Sequence, residues 1–262
     1  MTRNSLQITS FRKNVPTKRL PFSNRLLAGF PLIFCSLIAM SACGGNATSI
    51  NSGKMDITFN QNIDGWTANF ADYSVGMEDS IAFNANIETL PTPLQPQLAL
   101  KLQSKNTSDD VWMWVHKKVA GLKPNATYCV KISIDFASNA GTGCAGIGGA
   151  PGEGVTFKAG AVGVEPRKIF KDNLNNFLTV NFDKGNQQTD GPTVKNIGDL
   201  TTNSDICSNG PFMQKQLNSP AGGTLVKTDS NGNLWMVIGT DSGFEGVTTY
   251  YLMYGQITWE LV

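Results

Sequence analysis

From Met55 to Val262 no stretch of a dozen residues repeats its apolar side chains at the 3.6-residue spacing of a helix. Short apolar runs rich in Val, Ile, Thr and aromatics alternate instead with clusters of Gly, Pro, Asn and Asp, which is the pattern of strands and turns. A chain of this kind must pair its strands and bury one face of each sheet against another. The runs that read as strands are 57–60, 66–75, 98–103, 111–119, 128–136, 155–164, 177–182, 225–228, 234–239 and 248–261. They predict an all-β fold, a two-layered antiparallel β-sandwich in one domain spanning 55–262. "TLVKTDSNGNLWMVIGTDSG" reads as two strands joined in a hairpin, because Asn-Gly supplies the positive φ angles of a tight turn. In the closing "TTYYLMYGQITWELV", Tyr250, Leu252 and Tyr254 share one parity and Ile257, Trp259 and Leu261 the other, so Gly255 is the expected bulge. "EPRKIFKDNLNNF" (165–177) reads as a short surface helix or an irregular crossing, and "PTPLQPQ" (91–97) as loop.

The first 42 residues differ from the rest. Six basic residues and no acid precede or flank an uncharged run from Leu26 to Ala42 that ends in small residues. This is the layout of an export signal, too short and too interrupted by Pro31 for a spanning helix. "MSAC" at its end resembles the lipobox of bacterial lipoproteins. The resemblance implies cleavage before Cys43 and acylation of that cysteine, a membrane partner through a lipid anchor. An ordinary secretory signal is the alternative. Gly44 rather than Asp after the cysteine resembles the sorting pattern for the outer membrane. Residues 43–54, small and polar, then read as a flexible tether. Without the signal, 220 residues carry 15 basic and 20 acidic side chains, a net charge of −5. That sign argues against nucleic acid as a partner, since phosphate neutralisation requires surplus Lys and Arg.

"GTGCAGIGGAPGEG" (141–154) contains G-x-G-x-x-G at Gly141, Gly143 and Gly146. A dinucleotide site needs a helix immediately afterwards to hold the pyrophosphate. Four more glycines and a proline follow, and neither Lys-Ser nor Lys-Thr, so no nucleotide cofactor is expected. The glycines instead suggest close backbone approach in a long connection. Cys129, Cys144 and Cys207 remain after the anchor; the latter two lie in Gly/Asn/Ser-rich loops and are the candidate disulfide, with Cys129 a buried thiol on a strand.

The one histidine, His116, has no nucleophile motif beside it and reads as a partly exposed strand residue. On its strand Trp112 and Trp114 alternate with Val111, Met113 and Val115. If the aliphatic parity faces the core, the indoles form a stacking platform for the C–H faces of sugars; if they face inward they are core. Trp66 and Trp235 are further ligand-binding candidates. Carboxylates that could form a glycosidase pair include Glu78, Asp79, Asp109, Asp110, Glu153, Asp183, Asp241 and Glu245, but cross-strand pairs are not readable from sequence. The oxygen-rich segments "KNTSDD", "TVNFDKGNQQTDG" and "IGTDSGFEG" could hold a structural calcium; no other cofactor is expected, and one histidine without C-x-x-C disfavours zinc.

"NQNIDGWTANFADY", "VAGLKPNATYCVKISIDFAS" and "GFEGVTTYYLMYGQITWELV" together resemble jelly-roll, galactose-binding-like carbohydrate-binding modules. Gly255 and Gln256 stand where those modules often carry an acidic residue before the closing strand. "FASN", "GIGGAPGE" and "GTDSGFEG" also resemble segments of a group of uncharacterised bacterial lipoproteins. The resemblance implies a jelly-roll sandwich and a non-catalytic, envelope-anchored binding protein with glycan as its ligand class. A glycoside hydrolase or polysaccharide lyase on the same sandwich, and an assembly lipoprotein that binds another envelope protein, are the rival expectations.

Overall fold

The computed structural model describes residues 49–107, 110–171, 173 and 175–262; the expected signal peptide (1–42) and Cys43 lie outside them. The elements are β1 (Ser52–Thr58), β2 (Thr67–Ala71), β3 (Tyr73–Ser74), α1 (Glu78–Ile81), β4 (Asn84–Thr89), β5 (Leu98–Lys105), β6 (Val111–Val119), β7 (Thr127–Ser138), β8 (Val155–Val162), β9 (Lys168–Phe170), β10 (Phe177–Val180), β11 (Val194–Asp199), β12 (Met213–Asn218), β13 (Thr224–Lys227), β14 (Leu234–Ser242) and β15 (Val247–Leu261). Among the described residues no helix is long and apolar enough to cross a membrane.

Two antiparallel sheets form a jelly-roll sandwich. One runs β12-β7-β15-β5-β4, with β13 also on β7 and β1 also on β15; the other runs β11-β8-β14-β6-β2. The chain passes directly from one sheet to the other at β1–β2, β5–β6, β6–β7, β7–β8, β11–β12, β13–β14 and β14–β15. Val111, Met113 and Val115 of β6 and Phe157 of β8 face Ile134 and Phe136 of β7 and Tyr250 and Leu252 of β15 in the main core.

Several sequence expectations are corrected. The tether ends sooner than residue 54: β1 pairs with β15 from Ser52↔Glu260 onward, and Tyr128 Oη donates to the Ile50 carbonyl at 2.6 Å. "SGK" reads as loop because an edge strand needs little apolar content, and Gly53 is small so that the Trp259 ring can lie against it. The Asn-Gly segment is a tight turn, with Gly232 at φ +73° and Asp229 Oδ1 accepting from the Asn231 and Asn233 amides, but it does not join paired strands. β13 leaves it for the seven-stranded sheet and β14 for the other, so it arches across the sandwich. In β15 the register shifts between Leu252 and Tyr254, just before Gly255. That shift returns Ile257 and Trp259 to the core that Tyr250 and Leu252 occupy. Gly255 serves close packing instead, since a Cβ there would meet the Ser133 carbonyl at 2.2 Å.

The segment expected to be helical or irregular, 165–177, is extended in part. β9 and β10 form a hairpin that pairs with β3 as a small third sheet. With the loop that follows, it is a strap over the outer face of the five-stranded sheet, enclosing a second apolar cluster that includes Trp112, Trp114, Trp235, Val180 and Val194.

Candidate functional site

The strap decides the fate of the predicted aromatic platform. Trp112 and Trp114 do point away from the main core, but both are 0% exposed; Trp66 is 1% and Trp235 8% exposed. The two β6 indoles stack at 6.2 Å, and Val180 and Phe182 of the strap pack on their cluster. Trp66 lies in the main core beside Phe59. None of the four offers a face to a sugar ring. His116 is likewise buried, accepts a hydrogen bond from Trp114 Nε1 at 3.3 Å, and is held neutral by burial, which lowers its pKa. Cys144 and Cys207 are joined, with Cα atoms 5.4 Å apart, and Cys129 is a half-buried thiol. The glycine loop packs closely: a Cβ on Gly146 would meet the Gly149 carbonyl at 2.4 Å and the Phe244 ring at 2.6 Å.

The three oxygen-rich segments converge under the strap. Asp110 comes from the first, Lys184 from the second and Asp241 from the third, joined by Asp72 after β2 and Lys158 of β8. Carboxylate oxygens of Asp72, Asp110 and Asp241 lie within 4.8 Å of one another. Lys184 Nζ is 2.7 Å from Asp241 Oδ2 and 3.0 Å from Asp72 Oδ2, and Lys158 Nζ is 3.1 Å from Asp241 Oδ2. Two ammonium groups thus supply the positive charge that calcium would bring, which makes the cluster an ion-pair network and a poor cation cage. Burial, then the Asp241 carboxylate, push the Asp110 pKa up to about 7. A cleft of about 360 Å³ reaches this network past Asp72, Asp110, Asp183 and Lys184. Asp241 is 0% exposed and carries both lysines, so no sugar fits between its carboxyl and that of Asp110.

The opposite side of the molecule is open. Where β1 replaces β5 beside β15, the outward parity forms two cross-strand rows, Gln216–Asp135–Tyr254–Thr58 and Asn218–Ser133–Gln256–Asp56. Gln214 Nε2 donates to Asp135 Oδ1 at 2.8 Å and also to Tyr254 Oη; Gln216 Nε2 donates to Asp135 Oδ2 at 2.9 Å. Gln256 Nε2 donates to Asp56 Oδ1 at 3.0 Å. Tyr254 is 40% exposed in a shallow cleft of about 540 Å³. Sequence reasoning missed this face because its aromatic is single and three of its amides, Gln214, Gln216 and Asn218, lie on β12, whose polar sequence does not look like a strand.

No protein-family model matches this chain, and no curated protein does. Solved structures similar to it include the carbohydrate-binding modules of two Clostridium thermocellum proteins. One is the CBM22-1 and GH10 modules of endo-1,4-beta-D-xylanase 10B complexed with xylohexaose (14% identity, 78% of this chain and 28% of that one, TM-score 0.36). The other is the family 11 module of a cellulosomal cellulase (10% identity, 78% and 94%, TM-score 0.35). A third is the K1 cleaved adhesin domain of Lys-gingipain from Porphyromonas gingivalis (12% identity, 79% and 98%, TM-score 0.34). This chain spans less than a third of the first of these. The likenesses are too distant to assign it a ligand, and the sandwich described above rests on its own strand pairing.

Proposed function

We propose that this chain is a lipid-anchored envelope protein whose outward sheet face, centred on Tyr254, binds glycan. The observation that carries the reading is the pair of polar rows around a half-exposed tyrosine on a face that, among the described residues, no strap covers. Sugar hydroxyls need acceptors and donors fixed in place, and Asp135 is held by two glutamine amides, while the phenol ring offers an apolar surface for C–H groups. Its two carboxylates, Asp135 and Asp56, each accept from glutamine amides, which fixes them as acceptors for hydroxyl groups. The anchor at Cys43, with sorting to the outer membrane, completes the proposal and rests on the lipobox resemblance of "MSAC". Detergent-solubilised full-length protein on a glycan array tests it: retention of an oligosaccharide series that share one backbone linkage is expected, and no retention of any glycan rejects it.

A further inference from the structure

Lys158 is the one charged residue of β8, a strand buried along its whole length, and it is 0% exposed. Its Nζ donates to the Lys184 and Thr189 carbonyls at 2.8 and 2.9 Å, which holds it 3.1 Å from Asp241 Oδ2 on the neighbouring strand β14. Asp241 is also 0% exposed, and its Oδ1, like Oδ1 of Asp110, has no donor. Carboxylate oxygens of the two lie within 4.8 Å of one another. Oδ2 of Asp241 meanwhile accepts from Lys184 Nζ at 2.7 Å and from the Gln187 amide at 2.8 Å. A buried amine, a buried carboxyl with one oxygen polarised by two donors, and a further carboxyl within 4.8 Å are the parts of an acyl condensation.

We propose that Lys158 and Asp241 condense to an intramolecular isopeptide bond, with Asp110 as the catalytic acid and base. Asp110 relieves the Lys158 ammonium of a proton, and Nζ attacks Cγ of Asp241. Negative charge develops on Oδ2, where Lys184 and the Gln187 amide stabilise it. Asp110 delivers that proton, and then a second from the attacking nitrogen, to Oδ1; the Cγ–Oδ1 bond breaks and one water leaves through the cleft that Asp110 lines. An ammonium and a carboxylate have become an amide and a water, Asp110 ends as it began, and no oxidant or co-reactant is consumed. Lys158 is the nucleophile because burial lowers its pKa, whereas Lys184, though nearer, is kept charged by Asp241, Asp72 and Asp110. Exclusion of water favours condensation, and the buried charge pair, costly to desolvate, disappears in the product. The bond would tie β8 to β14 and enclose the strap.

Peptide mapping of the full-length protein tests this. After reduction, alkylation and trypsin, cleavage following Lys158 is expected to be absent, with peptide 132–167 joined to peptide 228–262 and the pair lighter by one water. Asp110→Asn should yield the two peptides unlinked, with a circular dichroism spectrum like that of wild type. Peptide 132–158 recovered free from the wild type, or a bond made through Lys184, overturns the proposal.

Discussion

Trp112 and Trp114 point away from the main core and are nevertheless fully buried, because side chains of the strap pack on them. The alternation in "VWMWV" places valine and methionine inward and the indoles outward, as the structure has them. Nothing local to β6 says that Val180 and Phe182, roughly seventy residues later, will lie on those indoles. Trp112→Ala is therefore expected to cost stability, about 3–5 kcal/mol by chemical denaturation, and to leave any glycan affinity of the folded protein unchanged. Lys158 was legible in a weaker sense, as one lysine in the otherwise uncharged run "VTFKAGAV". Asp110 carries a prediction in pH. Its folded pKa is about 7 against an ordinary 3.8, so the folded state binds the extra proton and stability falls as pH rises between those values. Asp241 and Asp72 hold the pKa up, Lys184 pulls it down, and burial, the largest cause, acts whether or not Asp241 is condensed. Denaturation midpoints of wild type should decline from pH 5 to 7.5, and in Asp110→Asn that decline should be smaller.

At the scale of elements, the central strands were readable and the edges were not. β6 is buried by the main core on one face and by the strap's cluster on the other, β7 turns alternate apolar side chains to the core, and the predicted 111–119 coincides with β6. β4, β9, β11 and β12 escaped notice, and each lies at the edge of its sheet. An edge strand has one neighbour and few buried side chains, so "MQKQLN" and "NANIET" carry the polar composition that elsewhere marks a loop. The same polarity equips β12 to present Gln214 and Gln216 to the open face. The Asn-Gly turn shows the complementary limit: local chemistry specifies a tight turn, while the partner of each flanking strand is set by the sandwich. The Cys144–Cys207 bond closes the glycine loop onto the 200–210 segment across 63 positions of sequence. Cys144→Ser with Cys207→Ser should lower stability by about 2–4 kcal/mol, read as a lower thermal midpoint, with the strand content in circular dichroism retained.

At the scale of the whole molecule, the two sheets divide the work. The five-stranded sheet turns its outer face into a second core, closed by the strap and by an ion-pair network of three aspartates and two lysines. The seven-stranded sheet leaves part of its outer face polar and open among the described residues, and the proposed glycan site lies there. If the proposed anchor is correct, labelled palmitate will enter the wild-type protein in cells and not Cys43→Ser, which should appear in the soluble fraction. The proposed glycan site lies on the Tyr254 face and not on the strapped face. Affinity electrophoresis through gels containing the polysaccharides retained on the array, run with wild type, Tyr254→Ala with Gln256→Ala, and Phe182→Ala, separates the two faces. Retardation of wild type and of Phe182→Ala is expected, with at least roughly tenfold weaker retardation of the Tyr254→Ala, Gln256→Ala protein; loss through Phe182→Ala with the Tyr254 pair unaffected would place the glycan on the strapped face instead.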